Sequence, residues 1–270
     1  MQTTANLWDA LCRDLEAERS QTSHEHHSEA AKHFRQTAER IFQETSPRRC
    51  DALEIAGDVC QSAGSMQEAL LNFEEALSLS LKMGKIPSAA RIAAKIALLQ
   101  DHLGDGEAAA RHYARALQLY GDCHDHSQDI LLASNLAGLE KRAGNFSACE
   151  AHYKSALETA VQTRGEIHPD VAVVCNNLGT AYADFGEWVQ AEHMHMRALG
   201  IREQLYGAMH PDVAQSLANL AVVYHSSSNI EKARSYYHAA INTYLAFKKP
   251  DAPEILQVRA NLESLEAAAA

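Results

Sequence analysis

Small and aromatic side chains recur along this chain with the spacing of helices that pack closely together. In five segments a small residue is followed four residues later by a ring, and three residues after that by an alanine. Positions four and three residues apart lie on one face of an α-helix. Cysteine and histidine each replace one member of the pattern, which comprises Ala69, Phe73 and Ala76; Ala109, Tyr113 and Ala116; Cys149, Tyr153 and Ala156; Ala191, His195 and Ala198; and Ala233, Tyr237 and Ala240. The pattern predicts helices that approach closely, with the ring filling the space between them.

Two ladders of helix-boundary residues divide the chain into repeats. The first ladder has spacings of 40, 82, 42 and 42 residues and consists of Pro47, Pro87, Pro169, Pro211 and Pro253, with Ser127 dividing the long interval. The second ladder follows each position after seventeen residues, at Gly64, Gly104, Gly144, Gly186 and Ser228. Proline suits the first turn of a helix, and glycine suits the turn that ends one. Each repeat is therefore predicted to be a helix, a tight turn and a second helix, and we expect thirteen helices and no β-sheet.

The first helices of two repeats carry a second motif, with Leu178, Gly179 and Tyr182 in one and Leu220, Ala221 and Tyr224 in the next. Together with the ring pattern of the second helices, this resembles the tetratricopeptide repeat. The segments GEIHPDVAVVCNNLGTAY (165–182) and GAMHPDVAQSLANLAVVY (207–224) narrow the resemblance to the repeats of kinesin light chains, through the His-Pro-Asp turn and the 42-residue period. This likeness is strongest over residues 127–264.

The resemblance implies an all-α fold, namely a right-handed superhelical α-solenoid of tetratricopeptide helix-turn-helix repeats with helical caps. Residues 1–44 are expected to form an N-terminal helical cap or degenerate repeat, and residues 45–250 the five repeats. Residues 251–270 are expected to form a C-terminal capping helix. Solenoids need such caps because each repeat is stabilised by its neighbours and a terminal repeat lacks one.

Asparagine occupies one position of the predicted first helices at a constant interval of 42 residues, in Asn135, Asn177, Asn219 and Asn261. In the family the first helices line the concave face, so the resemblance implies a row of amides along a groove, with Asn176 beside it. An amide both donates and accepts hydrogen bonds, which suits the main chain of an extended peptide. The alternative is that each asparagine bonds a neighbouring helix and stabilises the stack, and both roles can hold at once.

Four basic residues lie on or near the same predicted groove. Lys95 takes the asparagine position in the repeat that begins at Pro87, with Arg91 one turn earlier, and the next first helix ends in Lys141 and Arg142. In a chain with a formal net charge of -11 these residues predict a local basic patch and an acidic segment in the ligand. The alternative is that they are solvated surface charges that only favour solubility.

Composition limits the classes of function. The chain has 270 residues, of which 46% are hydrophobic and 22% charged, so it is expected to fold. The net charge of -11 argues against nucleic-acid or anionic-membrane binding, which needs a dominant basic surface. No apolar run could span a bilayer, and the start MQTTANLWDA lacks the features of a signal peptide. We therefore expect a cytoplasmic protein whose six scattered cysteines are reduced thiols.

Candidate chemistry is sparse. The histidine-rich segments HEHH (24–27) and CHDH (123–126) lack the paired spacing of closed zinc sites, so we expect neither a metal nor a cofactor. His168 and His210 precede prolines and are expected to shape the entry to a helix, whereas His195 is expected to be packed. No phosphate loop, nucleophile elbow or H-E-x-x-H motif occurs in the sequence. We expect no enzymatic activity.

The sequence therefore predicts a non-enzymatic scaffold that binds a partner protein or an extended peptide in the concave groove. Kinesin light chains grip extended cargo peptides in this way, as the resemblance implies. No heptad coiled coil accompanies the repeats, so the chain is more similar to the bacterial kinesin light chain homologues, and that likeness implies bacterial tubulin as a possible partner. Two alternatives stay open: a regulatory domain that senses a signalling peptide, and a self-assembling adaptor, which light scattering would distinguish from a monomer.

Overall fold

The computed structural model describes residues 47–269 together with residue 36, and that part of the chain forms eleven α-helices and no β-strand. The helices are α1 (Pro47–Ser62), α2 (Met66–Lys82), α3 (Ile86–His102), α4 (Gly106–Asp122), α5 (Asp129–Arg142), α6 (Phe146–Arg164), α7 (Pro169–Asp184), α8 (Trp188–Tyr206), α9 (Pro211–Ser226), α10 (Ile230–Leu245) and α11 (Pro253–Ala269). The expected all-α fold is confirmed. The cap expected over residues 1–44, with two of the thirteen expected helices, lies outside the described residues.

The proline ladder marks the starts of the first helices. Pro169 and Pro211 are the first residues of α7 and α9, where proline needs no N–H. The preceding His168 and His210 have extended backbones, and the Nδ1 atom of each imidazole accepts the N–H of the aspartate two residues later, at 3.1 and 3.2 Å. The two histidines are therefore helix N-caps, and the expectation that they shape the helix entry is confirmed.

The glycine ladder marks left-handed turns inside the hairpins. Its four glycines have φ between 78° and 83°, and Ser228, which takes the fifth position, has a φ of 62°. Side chains rarely adopt this conformation because the Cβ atom approaches the following carbonyl oxygen. The turn therefore requires glycine in four hairpins and strains the serine in the fifth.

The ring pattern of the second helices is buried in every hairpin, because all fifteen of its residues are core residues. In the hairpin of α7 and α8 the ring is that of His195, which is 1% exposed, as expected of a packed residue. A Cβ atom on Gly179 would lie 2.9 Å from three atoms of this imidazole. The close approach of the two helices explains a glycine in the interior of α7, where it costs about 1 kcal/mol of helix propensity.

The described residues divide into two compact units between Leu132 and Ala133, inside α5. In the first unit α1 packs on α2, α2 on α3 and α3 on α4, around a core that contains Leu53, Phe73 and Ile96. In the second unit each helix from α6 to α11 packs on the next, and α9 also contacts α7 and α11 directly. The boundaries expected at residues 44/45 and 250/251 stay a prediction.

Candidate protein-binding face

The first helices of the second unit share three successive positions on one helix face that carry no charged side chain; on each helix an acidic residue lies three residues before them, at Asp170, Asp212 and Glu254. These positions form a stripe with the same register on α7, α9 and α11, with steps of four and three residues that keep it on one helix face. Its members are Val173, Asn177 and Thr180; Gln215, Asn219 and Val222; and Gln257, Asn261 and Ser264. All nine are exposed or half-buried, and we name this stripe the uncharged face. Leu178 and Leu220, which directly follow Asn177 and Asn219 in sequence, lie on the buried sides of α7 and α9.

One pair of asparagines joins two first helices. The Asn219 side chain donates from Nδ2 to Oδ1 of Asn176 at 2.8 Å, and Asn176 is only 8% exposed. This bond connects α9 to α7 at the surface beside the uncharged face. For Asn176 and Asn219 the geometry supports a role in stabilising the stack of helices rather than a role in contacting a ligand.

Asn177 differs from the other asparagines of the ladder. Its side chain has no hydrogen-bond partner within residues 47–269, and it is half-buried. Asn261 already accepts a bond from Gln257 at 3.1 Å, and Asn135 is half-buried and interacts with other residues. Of the predicted amides, Asn177 is therefore the one in the described chain whose donors and acceptor are both available to a ligand.

Two valines on the uncharged face were missed by the sequence analysis. Val173 on α7 is 48% exposed and Val222 on α9 is 40% exposed. Each lies in the same register as an asparagine of the ladder, four residues before Asn177 and three after Asn219. That register was the available signal, because residues three and four apart share a helix face.

The predicted basic residues of the first unit are paired within the chain. Arg91 donates two hydrogen bonds to the Glu54 carboxylate, at 2.7 and 2.8 Å, and Lys95 lies 2.7 Å from Asp58 and 2.9 Å from Glu54. Burial would raise the pKa of Glu54, but the bonds from Arg91 and Lys95 outweigh it and hold the pKa below its usual value. Two cations on α3 thus neutralise two anions on α1.

Sequence reasoning overlooked the two carboxylates, although a signal was present. Glu54 precedes Arg91 by 37 residues and Asp58 precedes Lys95 by the same interval, which is close to one repeat. Charges of opposite sign one repeat apart lie on successive first helices.

The other two predicted basic residues belong to the second unit. Lys141 donates to the Asp184 carboxylate at 2.8 Å, which connects α5 to α7, and Arg142 also interacts within the chain. Binding of an acidic segment at these four residues stays a prediction, and such a segment would have to compete with the carboxylates already present.

Residues 47–269 carry no sign of a metal site or a membrane-spanning helix. No three side chains of the metal-ligating types gather there, and the HEHH segment lies outside this part. None of the described helices is both long and apolar enough to cross a membrane. The described cysteines are free, and burial raises the pKa of Cys149 and of Cys175 to about 11, so both are protonated at neutral pH.

Comparison with protein families gives two matches. The tetratricopeptide repeat model matches residues 128–204 and 176–246. The model of the soluble NSF attachment protein, SNAP, matches residues 16–164, which is more than half of the chain. No curated protein matches the chain.

Solved structures include proteins that are similar to most of the chain. BtubC (BKLC) from P. vanneervenii is 28% identical, with a TM-score of 0.70 over 86% of this chain and 96% of that one. A putative kinesin light chain with nearly identical TPR-like repeats, from Podosopora anserina, is 16% identical, with a TM-score of 0.65 over 76% and 99%. A signal transduction ATPase with a tetratricopeptide repeat sensor, from Pyrococcus horikoshii, is 14% identical, with a TM-score of 0.70 over 89% and 36%. At these identities the last two show the fold alone.

Proposed function

Because the chain belongs, through residues 16–164, to the family of the soluble NSF attachment protein, SNAP, and carries tetratricopeptide repeats over residues 128–246, we propose that it is a non-enzymatic scaffold for protein–protein interaction. It binds an extended segment of a partner protein along the first helices of its second unit. The observation that carries this proposal is Asn177, an amide without a partner in the described chain, on a face that also exposes Val173 and Val222.

These residues combine the two properties that a peptide-binding surface needs. Burying the exposed valines would contribute about 25 cal/mol per Å² of apolar area removed from water. The Asn177 amide can donate to a main-chain carbonyl and accept from a main-chain N–H, which an extended peptide leaves unpaired. Neither contact depends on catalysis, and the scaffold needs no cofactor.

The proposed partner is a filament of bacterial tubulin. It is supported by the likeness to BtubC, which extends over nearly all of that protein. A filament presents the same surface many times, so a scaffold that contacts two subunits gains effective concentration for the second contact. A cytoplasmic location belongs to the same proposal.

Co-sedimentation with polymerised bacterial tubulin tests the partner. The chain should pellet only with polymer, at a saturable ratio, and Val173→Asp should reduce pelleting about tenfold because it buries a charge at the contact. The matched control is Val189→Asp, since Val189 is 79% exposed on α8, away from the uncharged face.

Two outcomes would contradict different parts of the proposal. If the chain stays in the supernatant at low and moderate salt, the tubulin partner is wrong and the peptide-binding scaffold is left. If it pellets equally well with both valine variants, the filament is bound by another surface.

A further inference from the structure

One buried arginine lies at the junction between two repeats of the second unit. Arg202, near the end of α8, is 5% exposed, and its Nη1 atom donates to the main-chain carbonyl of Asp212 at 2.9 Å and to the hydroxyl of Ser216 at 2.7 Å. Both acceptors belong to α9, and Ser216 is fully buried. The Nε and Nη2 atoms of Arg202 have no hydrogen-bond partner in the described chain. We name the contact of Arg202 with Ser216 between α8 and α9 the polar junction.

The same two positions are not polar in this way in the junctions on either side. Forty-two residues earlier, between α6 and α7, they are Ala160 and Val174. Forty-two residues later, between α10 and α11, they are Tyr244 and Val258. All four side chains are buried. A buried charge is therefore a feature of one of these three successive junctions.

The charge of Arg202 is compensated less well than that of Arg91 in the first unit. The Arg91 side chain is 51% exposed and donates two hydrogen bonds to the Glu54 carboxylate, whereas Arg202 forms no ion pair within residues 47–269. Burial lowers the pKa of the Arg202 guanidinium, and the Asp212 carboxylate opposes this shift only in part. Burying an ion is costly unless an opposite charge and further hydrogen bonds compensate it.

Separation of the helices therefore has different costs at the three junctions. At the polar junction water would reach the guanidinium and its unpaired donors, which recovers hydration. At the two neighbouring junctions separation would expose buried valine and other side chains with large apolar surfaces to water. In a stack whose repeats contact only their neighbours, the junction with the lowest cost is the one that separates first.

From this we propose that the polar junction is a joint, at which α9–α11 open away from α6–α8 while the junctions on either side stay closed. Opening hydrates Arg202 and Ser216, and it breaks the surface hydrogen bond from Asn219 to Asn176, which keeps the joint closed. A partner that contacts first helices on both sides of the joint shifts the equilibrium toward the state that it fits. The joint is a property of the chain without a ligand, so its test needs no partner.

Thiol labelling measures this opening. Ser216→Cys places a thiol in the polar junction, and Val174→Cys places one at the equivalent position between α6 and α7; cysteine is close in size to both residues, and both native side chains are buried. The full chain is treated with iodoacetamide without denaturant, and mass spectrometry of its peptides gives the labelling rate of each cysteine. Native Cys149, which is fully buried on α6, is the internal reference, and urea unfolding shows whether each variant is folded.

Labelling is carried out at about pH 9, where an exposed thiol is largely ionised. At this pH a nearby arginine can no longer increase the thiolate fraction much, so the rate reports how often the junction opens.

The thiol introduced by Ser216→Cys should be labelled about tenfold faster than Cys149 in the same molecule, whereas the thiol introduced by Val174→Cys should be labelled as slowly as Cys149. Adding Arg202→Met to Ser216→Cys should slow the labelling about tenfold, because opening would then expose apolar surface. Adding Asn219→Ala instead should speed it about threefold, because the bond that keeps the joint closed is removed.

Two results would overturn the joint. If the thiols introduced at both positions are labelled at the rate of Cys149, the second unit opens only by global unfolding. If Arg202→Met leaves the labelling of the Ser216→Cys variant unchanged or speeds it, the hydrogen bonds of Arg202 hold the two helices together and the polar junction is a clamp.

Discussion

His195 couples protonation to folding at the scale of a single residue. Burial, reinforced by the positive charge of Arg202, lowers the pKa of this imidazole to about 4. The unfolded chain takes up a proton below about pH 6.5, whereas the folded chain excludes it until the pH approaches 4. The contribution of neutral His195 to the free energy of unfolding is therefore fully present above about pH 6.5. It is lost as the pH falls toward 4, by roughly 3 kcal/mol at most.

The substitution His195→Phe should remove this loss. In the first unit Phe73 packs against Gly57 as His195 packs against Gly179, so the fold already accommodates phenylalanine in this contact. Phenylalanine also removes the buried Nδ1 atom, which has no hydrogen-bond partner among the described residues; leaving such an atom unpaired costs about 1–3 kcal/mol. Urea unfolding should show a variant that is more stable than the parent at about pH 7.5, by a margin that widens at about pH 5.

Exposed His193 provides the control, since His193→Phe should leave the pH dependence unchanged. Parallel pH profiles for His195→Phe and the parent would show that protonation of His195 does not limit stability.

At Ser228 the backbone conformation, and not a side-chain contact, determines the effect on stability. Its φ of 62° lies where the four aligned residues are all glycine. A left-handed conformation costs a residue with a side chain about 1–2 kcal/mol. Glycine avoids this cost, but it also gives the unfolded chain more conformational entropy, which offsets part of the gain. Ser228→Gly should therefore raise the free energy of unfolding by roughly 0.5–1 kcal/mol in urea titrations.

The neighbouring residue is a matched control, because Ser227 has a φ of -86°. Ser227→Gly should lower stability, since glycine adds entropy to the unfolded chain without relieving strain. Equal effects of the two substitutions would contradict the account of the turn.

At the scale of the elements, side-chain hydrogen bonds recur from one hairpin to the next. Tyr182 on α7 donates to Glu150 on α6 at 2.7 Å, and 42 residues later Tyr224 on α9 donates to Glu192 on α8 at 2.6 Å. Hydrogen bonds to charged groups contribute about 1.5–3 kcal/mol each. The repeats are thus held together by polar contacts as well as by the buried ring pattern.

The amide pair between α7 and α9 should be measurable as a coupling. Asn176→Ala and Asn219→Ala should each lower the free energy of unfolding by about 1 kcal/mol, and the double variant should show a coupling of about 0.5–1.5 kcal/mol. Asn177→Ala should leave stability unchanged or slightly raise it, because the side chain has no partner in the described chain and alanine favours helix.

Urea unfolding of the four proteins provides the cycle. Strict additivity would mean that the bond between Asn219 and Asn176 does not stabilise the stack, and both amides would then return to the set of candidate ligand contacts.

At the scale of the whole molecule, charged side chains on first helices are paired across repeats in both units, and Lys141 with Asp184 is the example in the second unit. In the first unit, Arg91 and Lys95 are compensated by Glu54 and Asp58, so that helix face carries ion pairs. In the second unit the uncharged face has neither cations nor anions. A net charge of -11 describes neither surface, because the sum over a chain does not report where charges meet.

The fold of the described chain follows from local sequence patterns, because each repeat contains the residues that start and end its helices. Proline starts helices, glycine ends hairpin turns, and the ring pattern faces the partner helix; all three are local effects with a fixed spacing. Even the histidine caps and the packing of His195 followed from position within the repeat. Predictions of this kind depend only on residues that are close along the chain.

The chemistry of the candidate site was decided by the tertiary structure, because it depends on which residues of different repeats meet. Asn177 and Asn219 are equivalent in sequence, yet Asn219 bonds Asn176 across two helices whereas Asn177 has no partner in the described chain. Likewise the sequence predicts a basic patch at Arg91 and Lys95, whereas in the structure both residues form ion pairs with Glu54. A hydrogen bond or ion pair forms only within about 3–4 Å, and helix register one repeat away sets that distance.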